Sequence, residues 1–259
     1  MNIKLGPGGT AGLGYDNGIS EIARRGLTAL EVEFTYGVRM SNEKAKEVGE
    51  LAKRHNVSLS VHAPYYVNLA SPEKHKVKAS KERILQSCER ANMLGAKYVV
   101  FHPGFYQKMP PEEVYELVKG QILEIQEDIK ANGWDVKLAP ETTGKPSQFG
   151  SVEELMRLHK ETGCHVCVDF AHLKARNQGD VDYNEIIEQV RTLGHIHAHF
   201  SGIEWGEKGE KKHLITPEDA IEPLARTVTE NALDITIINE SPEPIEDAVK
   251  MKEVFEKHM

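Results

Sequence analysis

Short apolar segments alternate with amphipathic helical segments eight times along this 259-residue chain, and this alternation constrains the fold more than any other feature. The apolar segments are rich in Val, Ile and Leu, as in strands that are buried on both faces. Strands that alternate with helices form a parallel sheet, and eight such units favour a closed barrel. We predict strands at Asn2–Gly6, Ala29–Thr35, Ser58–His62, Tyr98–His102, Val136–Glu141, His165–Asp169, His195–Phe200 and Ile235–Glu240.

The helical segments between these strands carry recognisable start signals. Ser41 and Ser151 each precede a run with apolar residues at helical spacing, and Glu154 completes a capping box with Ser151. Ser71-Pro72-Glu73 places a proline where a helix would begin. Because no linker or low-complexity tract interrupts the pattern, residues 1–259 are predicted to form a single α/β domain, a (β/α)8 TIM barrel. In such barrels the active site lies at the C-terminal ends of the strands.

Composition narrows the class of protein. The formal net charge is −8, which argues against nucleic-acid binding over the whole surface but leaves room for a local basic patch. Three cysteines are too few for a disulfide framework and fit a reducing compartment. No run approaches the roughly 18 apolar residues of a membrane span, and no signal peptide is recognisable. We expect a soluble, cytoplasmic monomer without a membrane partner.

Metal-ligand side chains gather at the ends of the predicted strands. One such side chain at a strand end is commonly an ordinary polar residue, but six of the eight strands end in one, which is hard to obtain by chance. Barrel closure brings these ends around one mouth, where carboxylates repel one another unless a cation lies between them. Imidazole and carboxylate are natural zinc ligands. The sequence therefore predicts a multi-metal site built from His62, His102, Glu141, Asp169, His172, His199, His213 and Glu240.

Other residues that could bind metal are interpreted differently. His195 and His197 share the strand of His199 but lie deeper in it, and we interpret them as interior groups. Cys164 and Cys167 look like half of a zinc knuckle whose second half is missing. We interpret them as small buried hydrophobic residues.

Four segments match, in order, the motifs of a known family. Through nearly the whole chain the sequence resembles endonuclease IV, a metal-dependent apurinic/apyrimidinic endonuclease of the xylose-isomerase-like TIM-barrel superfamily. Each motif alone is moderately specific, but their order and spacing together are strong. The segments are His62-Ala63-Pro64-Tyr65 with Asn68-Leu69, Phe101-His102-Pro103-Gly104, Glu141-Thr142-Thr143-Gly144 with Gly150, and Cys167-Val168-Asp169 with His172; His199 and Glu240 follow at matching positions.

The resemblance implies a trinuclear zinc site. One ion would be held by Glu141, Asp169, His199 and Glu240. A second ion would be held by His62 and His102, with Glu141 bridging, and a third by His172 and His213. Glu141 and Glu240 would be the catalytic carboxylates. The implied cofactor is Zn²⁺, as two or three ions, with Mn²⁺ as an alternative.

One position departs from the family pattern. The family has an aspartate two residues before its last histidine, where this chain has Lys211. The nearest carboxylates are Glu210 and Glu207, and Glu210 could substitute with its longer side chain. We therefore expect two firmly bound ions and a third that is more easily lost.

The resemblance also implies contacts with DNA. Phe34-Thr35-Tyr36-Gly37-Val38-Arg39 is similar to the family's loop after the second strand, which inserts into the duplex at the lesion, and Arg39 falls on the family's arginine. We predict DNA contacts at Arg39, Tyr65, Lys174 and Arg176. Further lysines in loops after strands would complete a phosphate-binding rim, namely Lys145, Lys208, Lys211 and Lys212.

The implied activity is hydrolysis of the phosphodiester 5′ to an abasic site in double-stranded DNA, in base-excision repair. The alternative is a sugar isomerase or epimerase of the same superfamily, which places the same quartet of Glu141, Asp169, His199 and Glu240 on one ion. A metal-binding protein without catalysis is a third, weaker hypothesis. The discriminating residues are the four further histidines, because a one-metal isomerase does not need them as ligands: His62, His102, His172 and His213.

Overall fold

Eight parallel strands form the centre of the fold in the computed structural model, which describes residues 1–259. They pair as two four-stranded sheets: one contains the first, eighth, seventh and sixth strands in that order, and the other contains the second to the fifth. The register is continuous across strands, so that Ile235 lies beside Ile3 on one side and Ile196 on the other. The strands are Asn2–Pro7, Ala29–Glu33, Ser58–His62, Tyr98–Phe101, Lys137–Pro140, Cys167–Asp169, His195–Phe200 and Asp234–Asn239.

Two seams close these sheets into a barrel. At the first seam Gly8 forms a parallel bridge with Glu31, and the Gly9 amide donates to the Glu31 carbonyl at 2.9 Å. At the second seam Glu141 forms a parallel bridge with Cys167. Because both seams carry backbone pairing, all eight strands belong to one closed barrel, and the predicted TIM-barrel fold is confirmed.

Helices surround the barrel and follow its strands. Ser41 accepts a hydrogen bond from the Lys44 amide, and Ser151 and Glu154 form the predicted capping box, so both predicted helix starts are confirmed. The prediction at Pro72 is wrong by two residues, because Ser71 Oγ accepts from the Glu73 amide in a turn that precedes the helix. The α-helices are Gly14–Arg24, Asn42–Arg54, Lys74–Leu94, Pro111–Ala131, Val152–Thr162, Phe170–Arg176, Tyr183–Val190, Glu218–Glu230 and Pro244–Glu256.

Several strands are shorter at the mouth than the sequence predicted. The second ends at Glu33 rather than Thr35, and the fourth, fifth and eighth each end one residue earlier than predicted. The sixth begins at Cys167 rather than His165. The positions directly after these shortened ends are the candidate ligands His102, Glu141 and Glu240, which lie where the loops of the mouth begin.

Two short antiparallel units cover the mouth, and the sequence did not predict either. Gly104–Phe105 pairs with Gln148–Phe149, which ties the loop after the fourth strand to the loop after the fifth. Gly202–Gly206 pairs with Gly209–Leu214 in a hairpin that follows the seventh strand. This second unit, which we call the seventh-strand hairpin, carries His213 and Glu210.

Polar side chains line both ends of the barrel. The main apolar core lies outside the barrel interior, between the strands and the surrounding helices. At the end opposite the mouth, a cavity of about 950 Å³ is lined by polar residues that include Lys4, Ser60 and His197. None of the helices is both long enough and apolar enough to span a bilayer.

Candidate metal centre

Three groups of ligand-type side chains meet at the mouth of the barrel. Within each group one ligand atom per residue lies within 4.8 Å of the others. The groups share residues, so they form one continuous centre rather than three separate sites. They are His62, His102 and Glu141; Glu141, Asp169, His199 and Glu240; and Asp169, His172 and His213.

Distances within the centre fit divalent-metal coordination. The Nε2 atoms of His62 and His102 lie 3.2 Å and 2.9 Å from Glu141 Oε2. His199 Nδ1 lies 3.3 Å from both Glu141 Oε1 and Glu240 Oε1. Ligand atoms that surround one tetrahedral zinc ion at roughly 2.0–2.1 Å lie about 3.3 Å from one another. The donors are therefore spaced as an ion would require.

The orientation of the histidine rings also fits metal binding. His62 Nδ1 lies 2.7 Å from the Ala63 carbonyl and His172 Nδ1 lies 3.0 Å from the Thr142 carbonyl. His213 Nδ1 lies 2.7 Å from Ser201 Oγ. In each ring one nitrogen is thus held by the protein, which leaves Nε2 free to bind a metal, as is usual for ligating histidines.

One carboxylate oxygen in the centre has no hydrogen-bond partner. Asp169 Oδ1 accepts from the His172 amide at 2.7 Å and thereby caps the helix that begins at Phe170. Asp169 Oδ2 is buried and unpaired, and it lies 3.2 Å from His172 Nδ1. A buried, unpaired carboxylate oxygen is costly, and a cation in the centre would remove that cost.

Without an ion, protons balance the charges of the centre. Burial alone would raise the pKa of Glu141, but the imidazoles of His102 and His199 hold it well below its usual range. Burial lowers the pKa of His62, yet the hydrogen bond to Glu141 and nearby carboxylates raise it to about 10. Burial would also raise the pKa of Glu240, but the charge of His199 outweighs it and lowers that pKa to about 2. Divalent ions would displace these protons, since only neutral imidazole is a ligand.

The structure of the seventh-strand hairpin shows where the side chain of Lys211 lies, at the position where the family pattern has an aspartate. Glu204 pairs with Lys212, whereas Trp205 pairs with Glu210, so Lys211 is the extra residue of a β-bulge. A bulge shifts the alternation of side chains by one position and re-aims them. Lys211 Nζ consequently points to Glu204 Oε1 at 3.3 Å, away from the centre.

Glu210 takes the place beside the third group. Its Oε2 lies 3.6 Å from His172 Nε2, and its amide donates to the Gly144 carbonyl at 2.9 Å. A Cβ atom on Gly144 would lie 2.6 Å from Glu210 Cβ, so the absence of a side chain there permits this approach. The third group therefore has a carboxylate available, contributed by a residue one position earlier than the family pattern expects.

Sequence reasoning missed two carboxylates of the second strand. Glu31 and Glu33 point into the barrel, and one oxygen of each lies within 4.8 Å of an oxygen of Glu240. Burial, together with the charges of Glu31 and Glu240, raises the pKa of Glu33 to about 8. The signal was present in the segment Leu30-Glu31-Val32-Glu33, because two charges on one face of an otherwise apolar strand are uncommon unless they have partners.

Exposed aromatic residues and one arginine surround the mouth. Tyr36 and Tyr66 are 78% and 66% exposed, and Arg39 lies on the same loop as Tyr36 and is also exposed. The Tyr65 ring is centred 5.4 Å from that of His62 and 6.0 Å from that of His102, so it covers one edge of the centre. Exposed tyrosines on loops next to a charged centre provide flat surfaces for a planar or sugar-containing ligand.

Other predicted rim cations have partners within the protein. Arg176 Nη1 donates to the Lys145 and Gln148 carbonyls at 2.6 Å and 3.0 Å. The half-buried guanidinium of Arg176 thus holds the loop after the fifth strand, and its predicted contact with DNA stays a prediction. Lys174 Nζ lies 5.6 Å from the centre of the Trp205 ring, and Lys212 Nζ lies 3.5 Å from Glu204 Oε2. Arg39, Tyr65 and Lys174 likewise stay predicted DNA contacts.

Comparison with known families places the chain. A model of the family described as xylose isomerase-like TIM barrel matches residues 19–258. The chain belongs to this family. An uncharacterized protein of Methanocaldococcus jannaschii is 35% identical over 92% of this chain and 90% of its own length. A probable endonuclease 4 of Mycoplasmopsis synoviae is 29% identical over 70% of this chain and 68% of its own length.

Similar solved structures include an endonuclease IV and an epimerase-like protein. Endonuclease IV from Thermus thermophilus matches with a TM-score of 0.73 and 22% identity, covering 100% of this chain and 98% of that one. A D-tagatose 3-epimerase-like protein matches with a TM-score of 0.75 and 24% identity, covering 100% and 97%. At these identities the structures share the fold alone. Together with the probable endonuclease 4 relative they confirm the resemblance to endonuclease IV, while the reaction stays open.

Proposed function

We propose that this protein is a metal-dependent endonuclease that hydrolyses the DNA phosphodiester 5′ to an abasic site, in base-excision repair. The observation that carries the proposal is the presence of two donor groups beyond the quartet that one ion needs. His62 with His102, and His172 with His213, each share a carboxylate with that quartet, Glu141 in the first case and Asp169 in the second. A chain of three adjacent groups suits a phosphate, whose several oxygens can each face a different cation.

The protein's own residues would bind and balance the ions. The His62, His102 and Glu141 group would hold one ion, the quartet a second, and the group of Asp169, His172 and His213 the third. When bound, such ions activate water as the nucleophile and neutralise charge on the phosphoryl and leaving oxygens. Glu141 and Glu240 stay ionised, since their pKa values lie below the usual range, and their charge keeps the ions in place.

Recognition of the lesion would use the loops around the centre. Arg39 can contact a phosphate, while the exposed rings of Tyr36 and Tyr66 can stack on bases or fill the gap that a missing base leaves. An abasic nucleotide has no pairing to lose, so it is extruded towards the centre at low cost. A local contact surface of this kind is compatible with a chain whose net charge is −8.

A sugar epimerase is the second candidate, and specific observations favour it. The quartet is the complete ligand set for a one-metal isomerase, and Glu31 and Glu33 add carboxylates that a phosphate anion would not favour but a neutral sugar tolerates. The match to a D-tagatose 3-epimerase-like protein extends over the whole chain. This hypothesis gives no ligand role to His62, His102, His172 or His213.

The deciding experiment gives the zinc-loaded protein both substrates. One sample contains a duplex with a single abasic-site analogue, beside the undamaged duplex, and the other contains D-tagatose. We expect a nick 5′ to the lesion that leaves a 3′ hydroxyl, which a DNA polymerase can extend, and no change in the sugar. Glu141→Gln is the control for contaminating nuclease, because it removes a ligand shared by two groups. Epimerised sugar with an intact abasic duplex would overturn the proposal.

A further inference from the structure

Glu31 makes an unusual set of contacts beneath the candidate metal centre. Its side chain is fully buried inside the barrel, and Oε2 accepts a hydrogen bond from Ser60 Oγ at 2.6 Å. His197 Nε2 lies 2.8 Å from the same oxygen. The other oxygen, Oε1, lies 2.8 Å from Nε2 of His199; the angles at this contact fall outside hydrogen-bond geometry, and neither atom has another hydrogen-bond partner. Two neighbours therefore fix one carboxylate oxygen and leave the second facing a candidate ligand.

The orientation of the His199 ring shows why its contact with Glu31 matters for metal binding. His199 Nδ1 is the nitrogen that faces the carboxylates of Glu141 and Glu240, at 3.3 Å from each. Nε2 is on the opposite side of the ring and has Glu31 as its close neighbour. A ring that binds metal through one nitrogen usually donates from the other to a carboxylate or carbonyl. His62 and His172 use backbone carbonyls for this purpose, whereas His199 has no carbonyl oxygen in that role.

We propose that Glu31 is a positioning residue, which holds His199 with Nδ1 directed at the ion of the quartet and with the proton on Nε2. This role rests on the proposed metal centre but not on the choice between endonuclease and epimerase, because both need the quartet. Ser60 and His197 in turn hold Glu31. Ser60 and His197 also line the polar cavity at the end of the barrel opposite the mouth. A chain of contacts thus extends from that cavity to the quartet.

The buried charge of Glu31 affects the stability of the fold. Replacing both partners of a buried ion pair by apolar residues is often neutral or stabilising, whereas removing one partner alone is destabilising because the other charge stays buried without compensation. Glu31→Met is therefore expected to lower the stability of the fold, and His199 loses the acceptor for its Nε2 proton. Metal affinity and the position of the ring proton are compared in the folded variant, with Ser60→Ala as the milder change.

The test measures cobalt affinity and the ring tautomer in the metal-loaded protein. Co²⁺ is titrated into the protein by its visible absorption, and nitrogen NMR of the zinc-loaded protein reports which nitrogen of His199 carries the proton. We expect a proton on Nε2 in the wild type, and a loss of affinity for the tightest ion of about 10–100-fold in Glu31→Met. Glu31→Gln should lose less, because its amide oxygen can still accept from Nε2.

Two controls keep the outcomes separate. Glu50→Gln removes a carboxylate at the opposite end of the barrel and should bind cobalt as the wild type does. If Glu31→Met does not fold, Ser60→Ala weakens the support of Glu31 and should lower cobalt affinity in the same direction by a smaller factor. Wild-type affinity in the folded Glu31→Met and Ser60→Ala variants, or a proton on Nδ1 of His199, would overturn the proposal. Absence of abasic-site cleavage with both readouts as expected would overturn only the proposed endonuclease activity.

Discussion

The quartet and the third group of the centre are built in different ways. All four ligands of the quartet lie at the ends of barrel strands, and Glu141, Asp169 and His199 are completely buried. The third group takes Asp169 from the end of the sixth strand and His172 from the helix that follows it, but His213 comes from the seventh-strand hairpin and is only half-buried. Glu210, which can join this group, lies on the same hairpin beside a bulge.

This difference teaches that the barrel fixes one part of the centre while a two-stranded element outside the barrel completes another. Strand ends are held by backbone hydrogen bonds on both sides, so their side chains are preorganised for an ion. The hairpin packs on helix Phe170–Arg176 through Ile203, but its ligand His213 is only half-buried and therefore loses more side-chain freedom when an ion binds than the buried ligands at strand ends do. Ordering costs free energy, so the third ion should be the weaker one.

The largest expected effect concerns His62 and His102, the pair of histidines at the ends of the third and fourth strands. His62→Ala and His102→Ala should each reduce abasic-site cleavage by on the order of 10³-fold or more, since each removes a ligand of an ion that provides several kcal/mol. Steady-state cleavage of an abasic duplex measures this effect, with circular dichroism to confirm the fold. His55→Ala, at an exposed histidine next to the C-terminal end of helix Asn42–Arg54 and so at the end of the barrel opposite the mouth, is the matched control. Wild-type turnover in both variants would show that the quartet alone suffices.

The pH dependence of metal binding separates a buried centre from surface histidines. The pKa of His62 is raised to about 10 in the metal-free protein, so below that pH an ion must displace its proton. Affinity at this group should therefore rise with pH, by about tenfold per unit for each proton displaced, and continue to rise to about pH 9. Chelator competition at a series of pH values measures it. Exposed histidines with a pKa near 6.5 would instead give a plateau above about pH 7.

A smaller effect tests the hairpin. Glu210→Gln should weaken one ion of the three by at least about tenfold, because the third group loses the negative charge that Lys211 does not supply. Mild chelation followed by elemental analysis should remove one equivalent before the others, and earlier in the variant. Glu207→Gln, in the turn of the same hairpin, should behave as the wild type. Three equivalents that leave together, in the variant as in the wild type, would contradict both the weak third site and the role of Glu210.

The difference between these regions also decides what the sequence could predict. The barrel and the ligand residues at strand ends follow from periodicity and residue type, because a strand end has one location in a closed barrel. Alignment with the family pattern put Lys211 at the third group, since sequence spacing cannot show a bulge. The structure turns Lys211 outward and brings Glu210 towards His172.

The sequence also could not predict contacts between side chains on opposite sides of the barrel. Glu31 and Glu33 were assigned to an apolar strand, and their relation to His197, His199 and Glu240 depends on the register of non-adjacent strands. Arg176 was predicted as a DNA contact from its position in a loop after a strand. Its Nη1 atom donates to carbonyls of a different loop, and local sequence patterns do not specify the conformation of that loop.

The smallest expected effect concerns the rim outside both regions. Arg39→Ala should weaken binding to abasic DNA by a few-fold and reduce the salt dependence of the affinity by about one charge, while the metal content stays unchanged. Fluorescence anisotropy at several stated salt concentrations measures both values. Arg54→Ala, at an exposed arginine on the far end of a helix, is the matched control. An unchanged affinity and salt slope would remove Arg39 from the DNA contact surface.

The central claim is that more than one ion is needed for hydrolysis, and a zinc titration of the metal-free protein tests it most directly. Abasic-duplex cleavage is measured after each increment of zinc, with bound metal determined in the same samples. The account predicts little cleavage while the first equivalent fills the quartet, and a rise as the second and third equivalents bind. Full activity at one equivalent, or no cleavage at three, would contradict it.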